Sequence, residues 1–202
     1  MTKRIFQIGF NKCGTRSLAA FFQKNGLASV HWEEGRTAEN YMRRKERGEN
    51  PFADYPDTIF FSDMIKLTET ELIEPYRDFR TIHRHFPDAY FILNTRHRED
   101  WVKSRSANRN FVRRYRRYLG CDSDAAVFDH WREAWDWHHA DVLDYFSAFP
   151  GQLIVFRLGE DDGAYLAERM PDFALDPQHF GHEGKTLPKE GEGASGGQGR
   201  PA

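Results

Sequence analysis

Residues Gly9 to Leu18 read GFNKCGTRSL and follow a short apolar run, Ile5 to Ile8. Two glycines, small polar residues and the start of a helical pattern make this stretch a candidate anion loop. Free backbone N–H groups at a helix start, together with the helix dipole, favour a negative ligand. Gly9 and Gly14 let the backbone bend and come close to it, Thr15 and Ser17 offer hydroxyls, and Lys12 and Arg16 offer positive charge. The order is not that of an ATP loop, which reads G-x-x-x-x-G-K-[ST]. Here Thr15 and Arg16 follow the second glycine, and the lysine stands two residues before it.

A second stretch, FILNTRHREDWVKS from Phe91 to Ser104, has the pattern of a strand end, a turn and a new helix. Glu99 and Asp100 fall in the helix's first turn, where acidic residues suit the dipole. Arg96 stands at the strand's carboxyl end and Ser104 eight positions later. A guanidinium fork and a short hydroxyl donor form a natural pair for a phosphate.

The elements that must position these residues alternate between strand and helix. Strands are predicted over Arg4 to Ile8, Ala28 to His31, Thr58 to Phe61, Ala89 to Asn94 and Leu153 to Phe156. Helices are predicted over Thr15 to Asn25 (closed by Gly26), Thr37 to about Gly48 and Thr68 to Phe86, with two more between Glu99 and Phe149 separated near Gly120 to Asp124. The alternation argues for an α/β domain with a mostly parallel sheet of about five strands, and runs such as AYFIL for strands buried on both faces. In such a sheet, ligands bind beyond the carboxyl ends of the strands, where both candidate motifs fall.

Composition narrows the class. The chain has 202 residues, 39% of them apolar and 15% aromatic, enough for one domain with a sizeable core. A net charge of -2 supplies no global basic field for nucleic acid. No apolar run approaches the roughly 18 residues of a membrane span, and the N-terminal apolar stretch is too short for a signal peptide. A soluble cytoplasmic protein is expected. The two cysteines, Cys13 and Cys121, suit a reducing compartment better than a disulfide framework.

Taken together, Lys12-Cys13-Gly14-Thr15-Arg16-Ser17 and the pair Arg96 and Ser104 resemble the two cofactor motifs of the sulfotransferases that use 3′-phosphoadenosine 5′-phosphosulfate, PAPS. The segments HFPDAYFILNTRHREDWVKS and GQLIVFRLGEDDGAYLAERM are also similar to their counterparts in the shorter, bacterial-type branch, so the resemblance covers most of residues 4 to 185. It implies a P-loop-NTPase-like three-layer domain over 1–185, followed by a Gly- and Glu-rich tail, 186–202, expected to be disordered. It further implies that residues Lys12 to Ser17 grip the 5′-phosphosulfate, that Arg96 and Ser104 bind the 3′-phosphate, and that no metal is required. Larger members close the site with a late R-K-G loop. This chain has HFGHEGKTLPKEG there, with Lys185 or His182 as the candidate contact, and Trp32 is an aromatic candidate for the adenine.

The displaced lysine then has a chemical reason. By analogy with phosphoryl transfer, charge builds on the leaving oxygen as the sulfuryl group departs. A lysine early in the loop stands beside that bridging oxygen and stabilises it. A general base is also required, and two candidates follow strand ends: His31 in SVHWEEG and Asp63 in TIFFSDMIK. Asp63 is the preferred base. Phe60, Phe61 and Met64 would desolvate it and raise its pKa, whereas Glu33 and Glu34 would favour the charged form of His31. The acceptor is a hydroxyl or amine of a small molecule, carbohydrate or lipid, with nucleic acid unexpected; oligomeric state is not legible.

Two other readings fit parts of the pattern: a kinase with a variant P-loop, and a non-catalytic nucleotide- or RNA-binding module. The second would use KSRSANRNFVRRYRRY, with seven basic residues between Lys103 and Arg117. Phe111, Tyr115 and Tyr118 fall at i, i+4, i+7 there and read as a core-facing stripe, as do Val127, Trp131, Trp135, His138 and Val142 further on. His130, His138 and His139 lack the spacing of a metal site.

Overall fold

The computed structural model describes residues 3–181 and Glu183. His182, Lys185 and the predicted tail lie outside the described residues. The strands are β1 (Ile5–Gln7), β2 (Ser29–His31), β3 (Phe60–Ser62), β4 (Lys66–Leu67), β5 (Leu72–Ile73), β6 (Tyr90–Thr95) and β7 (Leu153–Arg157). The helices are α1 (Thr15–Lys24), α2 (Arg36–Glu46), α3 (Phe79–His85), α4 (Arg98–Ser106), α5 (Arg109–Leu119), α6 (Asp124–Phe146) and α7 (Gly163–Arg169). Five strands form one all-parallel sheet in the order β2-β3-β1-β6-β7. β4 and β5 form a separate antiparallel pair.

Alternate residues of a strand face opposite sides of a sheet, and both sides here are apolar. Ile5, Phe60, Ile92 and Ile154 pack with Leu18 and Phe22 of α1 and Leu166 of α7. Phe6, Phe61, Phe91 and Leu93 pack on the other side with Tyr41, Phe79, Trp101, Tyr115 and Trp131 from α2 to α6. The result is the expected three-layer α/β architecture, with every sheet strand delivering its carboxyl end to one rim.

The predicted helix from Thr68 to Phe86 is a correction. Thr68 Oγ1 accepts from the N–H groups of Thr70 (3.3 Å) and Glu71 (2.9 Å), which closes a turn between β4 and β5. Pro75 then begins a short 3₁₀ turn, Pro75–Asp78, and only Phe79 onward is α-helical. A threonine that satisfies backbone donors locally competes with the helix, and a proline supplies no N–H to continue one. The stretch after Glu99 holds three helices rather than two, because the Asn108 side chain accepts from Phe111 N–H (3.1 Å) and starts α5 afresh. Tyr115 is buried as expected, but Tyr118 is exposed. Val127, Trp131, Trp135, His138 and Val142 all face the core. His138 Nε2 donates to the Ile8 carbonyl (2.7 Å), so α6 reaches through to the start of the first loop.

Candidate active site

β1 lies between β3 and β6, and the chain leaves it first to one side and later to the other. At such a switch point the loops after neighbouring strands diverge and open a crevice. Lys12 follows β1, Asp63 follows β3, His31 ends β2 and Arg96 follows β6, so all four stand on the same rim.

The first loop is pinned from behind by two fully buried amides. Asn94 Nδ2 donates to the carbonyls of Phe10 and Cys13, both at 3.0 Å. Gln7 Nε2 donates to the Gly9 carbonyl and to Asn94 Oδ1. Trp101 Nε1 donates to the Asn11 carbonyl (2.9 Å). The loop lies so close to β6 that a Cβ at Gly9 would collide with the Asn94 backbone. Held this way, Lys12 takes a left-handed conformation (φ 65°) and stays exposed. Gly14 is also left-handed (φ 80°) and leads directly into α1, which has no side-chain N-cap and no acidic residue in its first turn. The first N–H groups of α1 are therefore left for a ligand.

The other loop residues divide between the ligand side and the core. Arg16 is exposed and Thr15 is buried at the helix start. The Cys13 side chain is fully buried in the core, its burial pushes the thiol pKa up, and its carbonyl is taken by Asn94. Ser17 Oγ accepts from Glu183 N–H (3.0 Å), so part of its bonding capacity serves the chain itself. Arg96 Nη1 donates to the Lys12 carbonyl (3.3 Å), which links the two motifs directly. Lys12 and Ser104 also line a single groove of about 460 Å³, together with Ala107, Asn108, Arg109 and Asn110.

Asp63 and His31 form a pair, with His31 Nε2 3.9 Å from Asp63 Oδ2. Asp63 is itself left-handed (φ 53°) and its N–H donates to Gln7 Oε1 (2.8 Å). The same glutamine thus ties the anion loop and the carboxylate to one strand. Burial raises the Asp63 pKa to about 6, against the opposing pull of Arg105 and Lys12. Asp63 Oδ1 is buried with no hydrogen-bond partner among the described residues. The expected effect of Glu33 and Glu34 on His31 is a correction. Glu33 is spent on Thr37 (3.0 Å) and Tyr55 (2.8 Å), and the His31 pKa is lowered, first by burial and then by Arg16. His31 Nδ1 is hydrogen-bonded to Ser62 Oγ (3.0 Å), whose hydroxyl also lies 3.4 Å from the Val30 carbonyl. The ring is thereby oriented with Nε2 toward Asp63.

Gln7, Asn94 and Trp101 were absent from the sequence-derived site. The first two had a signal: each is a polar amide inside an otherwise apolar strand, IFQI and FILN. Trp32 stands on the rim with about half its surface exposed. Lys185 and His182 lie outside the described residues.

The fold and site define an α/β protein with an all-parallel sheet, a glycine-bent loop at its switch point and a second cation at the next strand's end. Residues 4–165 match the family model described as sulfotransferase domain, and the chain belongs to that family. No curated protein matches it. Among the described residues no cluster of three or more His, Cys, Asp or Glu is placed to hold a metal ion, and no helix is long and apolar enough to cross a membrane.

Proposed function

We propose that the protein transfers the sulfuryl group of PAPS to a hydroxyl or amine of a small-molecule, carbohydrate or lipid acceptor and releases 3′,5′-ADP. Family membership supports sulfotransfer. The observation that carries the choice of donor is the groove shared by Lys12 and Ser104, with Arg96 bonded to the Lys12 backbone. In this reading the two motifs take the two anionic groups of one nucleotide. The first N–H groups of α1 and Thr15 hold the 5′-phosphosulfate, and Lys12 stabilises the bridging oxygen as the S–O bond breaks. Arg96 and Ser104 read the 3′-phosphate. Asp63 takes the acceptor's proton, with His31 Nε2 beside it. The two free thiols fit a reducing, cytoplasmic setting.

A thermal-shift screen tests the reading. A ligand at about a hundredfold excess over Kd stabilises the native state by about 2.7 kcal/mol. 3′,5′-ADP is expected to give a clear shift without Mg²⁺, and AMP little. Arg96→Ala should remove most of that preference. Equal shifts with both nucleotides would remove the 3′-phosphate assignment, and a larger, Mg²⁺-dependent shift with ATP would favour a kinase.

A further inference from the structure

The groove at Lys12 does not end at Ser104. Arg109 and Asn110 line it, and the same two residues line a second depression of about 220 Å³ with Val112, Arg113, Arg116 and Asp124. The two depressions therefore adjoin at Arg109 and Asn110, and together they carry the concave surface from Lys12 along the first two turns of α5. That helix carries five arginines and no acidic residue. Many of the protein's surface arginines sit in ion pairs, such as Arg43, Arg44, Arg80, Arg98 and Arg132. Of the lining residues, Lys12 and Arg113 are exposed and have no ion pair among the described residues; Lys103 and Arg114, on the adjoining helix turns, are likewise exposed and unpaired, as are Arg36, Arg47 and Arg84 elsewhere on the surface. Arg109 (2.9 Å) and Arg116 (3.4 Å) share one carboxylate, Asp124, which leaves that group of charges net positive. Arg117 alone has a carboxylate to itself, Glu69.

Unpaired guanidinium groups beside a concave surface bind carboxylate, sulfate or phosphate groups. Resting on the sulfotransferase reading, we propose that the acceptor is an anionic oligosaccharide, whose acidic groups lie along α5 while its reacting hydroxyl reaches Lys12 and Asp63. At about 1.5 Å rise per residue, Arg109 to Arg116 spans about 10 Å, the length of roughly two sugar units. Nucleic acid fits less well. Single-strand binding uses exposed aromatic faces between the basic residues, whereas Tyr115 is buried, Phe111 is half-buried against the core, and Tyr118, the one exposed ring of α5, does not line either depression.

The test is titration of the full chain, saturated with 3′,5′-ADP, with three tetrasaccharides: sulfated, carboxylated and neutral. At least one anionic probe is expected to bind, more weakly as salt rises, while the neutral one does not. Arg113→Glu with Arg114→Glu should weaken it by about tenfold or more, while 3′,5′-ADP affinity at the same salt, touched only through long-range screened attraction, changes far less. Asp124→Asn frees Arg109 and Arg116 and should tighten the probe, a gain that a misfolded variant cannot produce. The proposal is overturned if neither anionic probe binds, or if the Arg113/Arg114 variant loses 3′,5′-ADP affinity in step, which would assign that surface to the nucleotide. Tighter binding of an RNA of equal charge than of either anionic probe would likewise overturn it. A wild type that ignores 3′,5′-ADP would instead remove the donor assignment itself.

Discussion

Lys12 is exposed, left-handed and free of any ion pair among the described residues, so its charge is unspent until a ligand arrives. If it acts on the leaving oxygen, Lys12→Ala should lower kcat by roughly a hundredfold to a thousandfold. Affinity for 3′,5′-ADP should change far less, and single-turnover kinetics with PAPS separates the two. An unchanged kcat with a raised KM for PAPS would show that the lysine holds only the ground state. Asp63 makes a different prediction, because its environment opposes its charge. Its carboxyl titrates near 3.8 when unfolded and at about 6 when folded. The folded state thus favours the neutral acid, and stability is lost as pH rises from the first value through the second. The loss above pH 6 amounts to about 3 kcal/mol. Asp63→Asn, which keeps the shape without the charge, should raise the denaturant midpoint at pH 8 and leave it unchanged at pH 3. Transfer by the wild type should rise with pH across about 6, and the variant should be inactive with 3′,5′-ADP binding intact. A midpoint difference independent of pH would show that the carboxyl is not desolvated.

At the scale of elements, the site is built by two strand amides as much as by the loop they hold. Asn94→Leu removes the donor to Phe10 and Cys13 and leaves Gln7 Nε2 with one partner fewer. Each buried polar group left unpaired costs about 1–3 kcal/mol, so the variant should lose at least about 2 kcal/mol. It should also lose the response to 3′,5′-ADP below its own melting temperature. Gln7→Met acts on the other side, where Asp63 N–H loses its acceptor. It should slow turnover more than it weakens nucleotide binding; the reverse pattern would place Gln7 with the loop alone. The two motifs were legible because their chemistry is local: glycines, hydroxyls and cations at fixed spacing. The strands were legible because burial on both faces leaves nothing but apolar runs. The hairpin of β4 and β5 was hidden because its residues alternate poorly and its turn depends on one threonine hydroxyl. The amide bridge was hidden for another reason. Gln7 and Asn94 are 87 positions apart, and only the pairing of β1 with β6 brings them together. The charge state of His31 was misread from Glu33 because sequence proximity says nothing of where a carboxylate points.

At the scale of the whole molecule, the net charge of -2 hides an uneven field. Carboxylates neutralise many of the surface cations, while among the described residues Lys12, Arg16 and Arg96 at the sheet rim and Lys103, Arg113 and Arg114 on α4 and α5 have no ion pair. The topology explains why the rim cations gather: every sheet strand is parallel, so the loops after β1 and β6 open on the same side. A local positive field in a low-dielectric crevice draws anions in and accelerates encounter, and salt screens it over about 10 Å at 0.1 M. 3′,5′-ADP carries one more phosphate than AMP or adenosine 5′-phosphosulfate, so its association should depend most on this field. Stopped-flow measurement with a fluorescent 3′,5′-ADP analogue should show the association rate falling by about tenfold between roughly 10 mM and 500 mM salt, with dissociation changing less. Arg114→Gln, remote from the nucleotide's own contacts, should reduce the rate at low salt and leave it unchanged at high salt. A rate that ignores salt would mean that these cations act only on ligands already in contact, and that their clustering on the rim does not guide the nucleotide in.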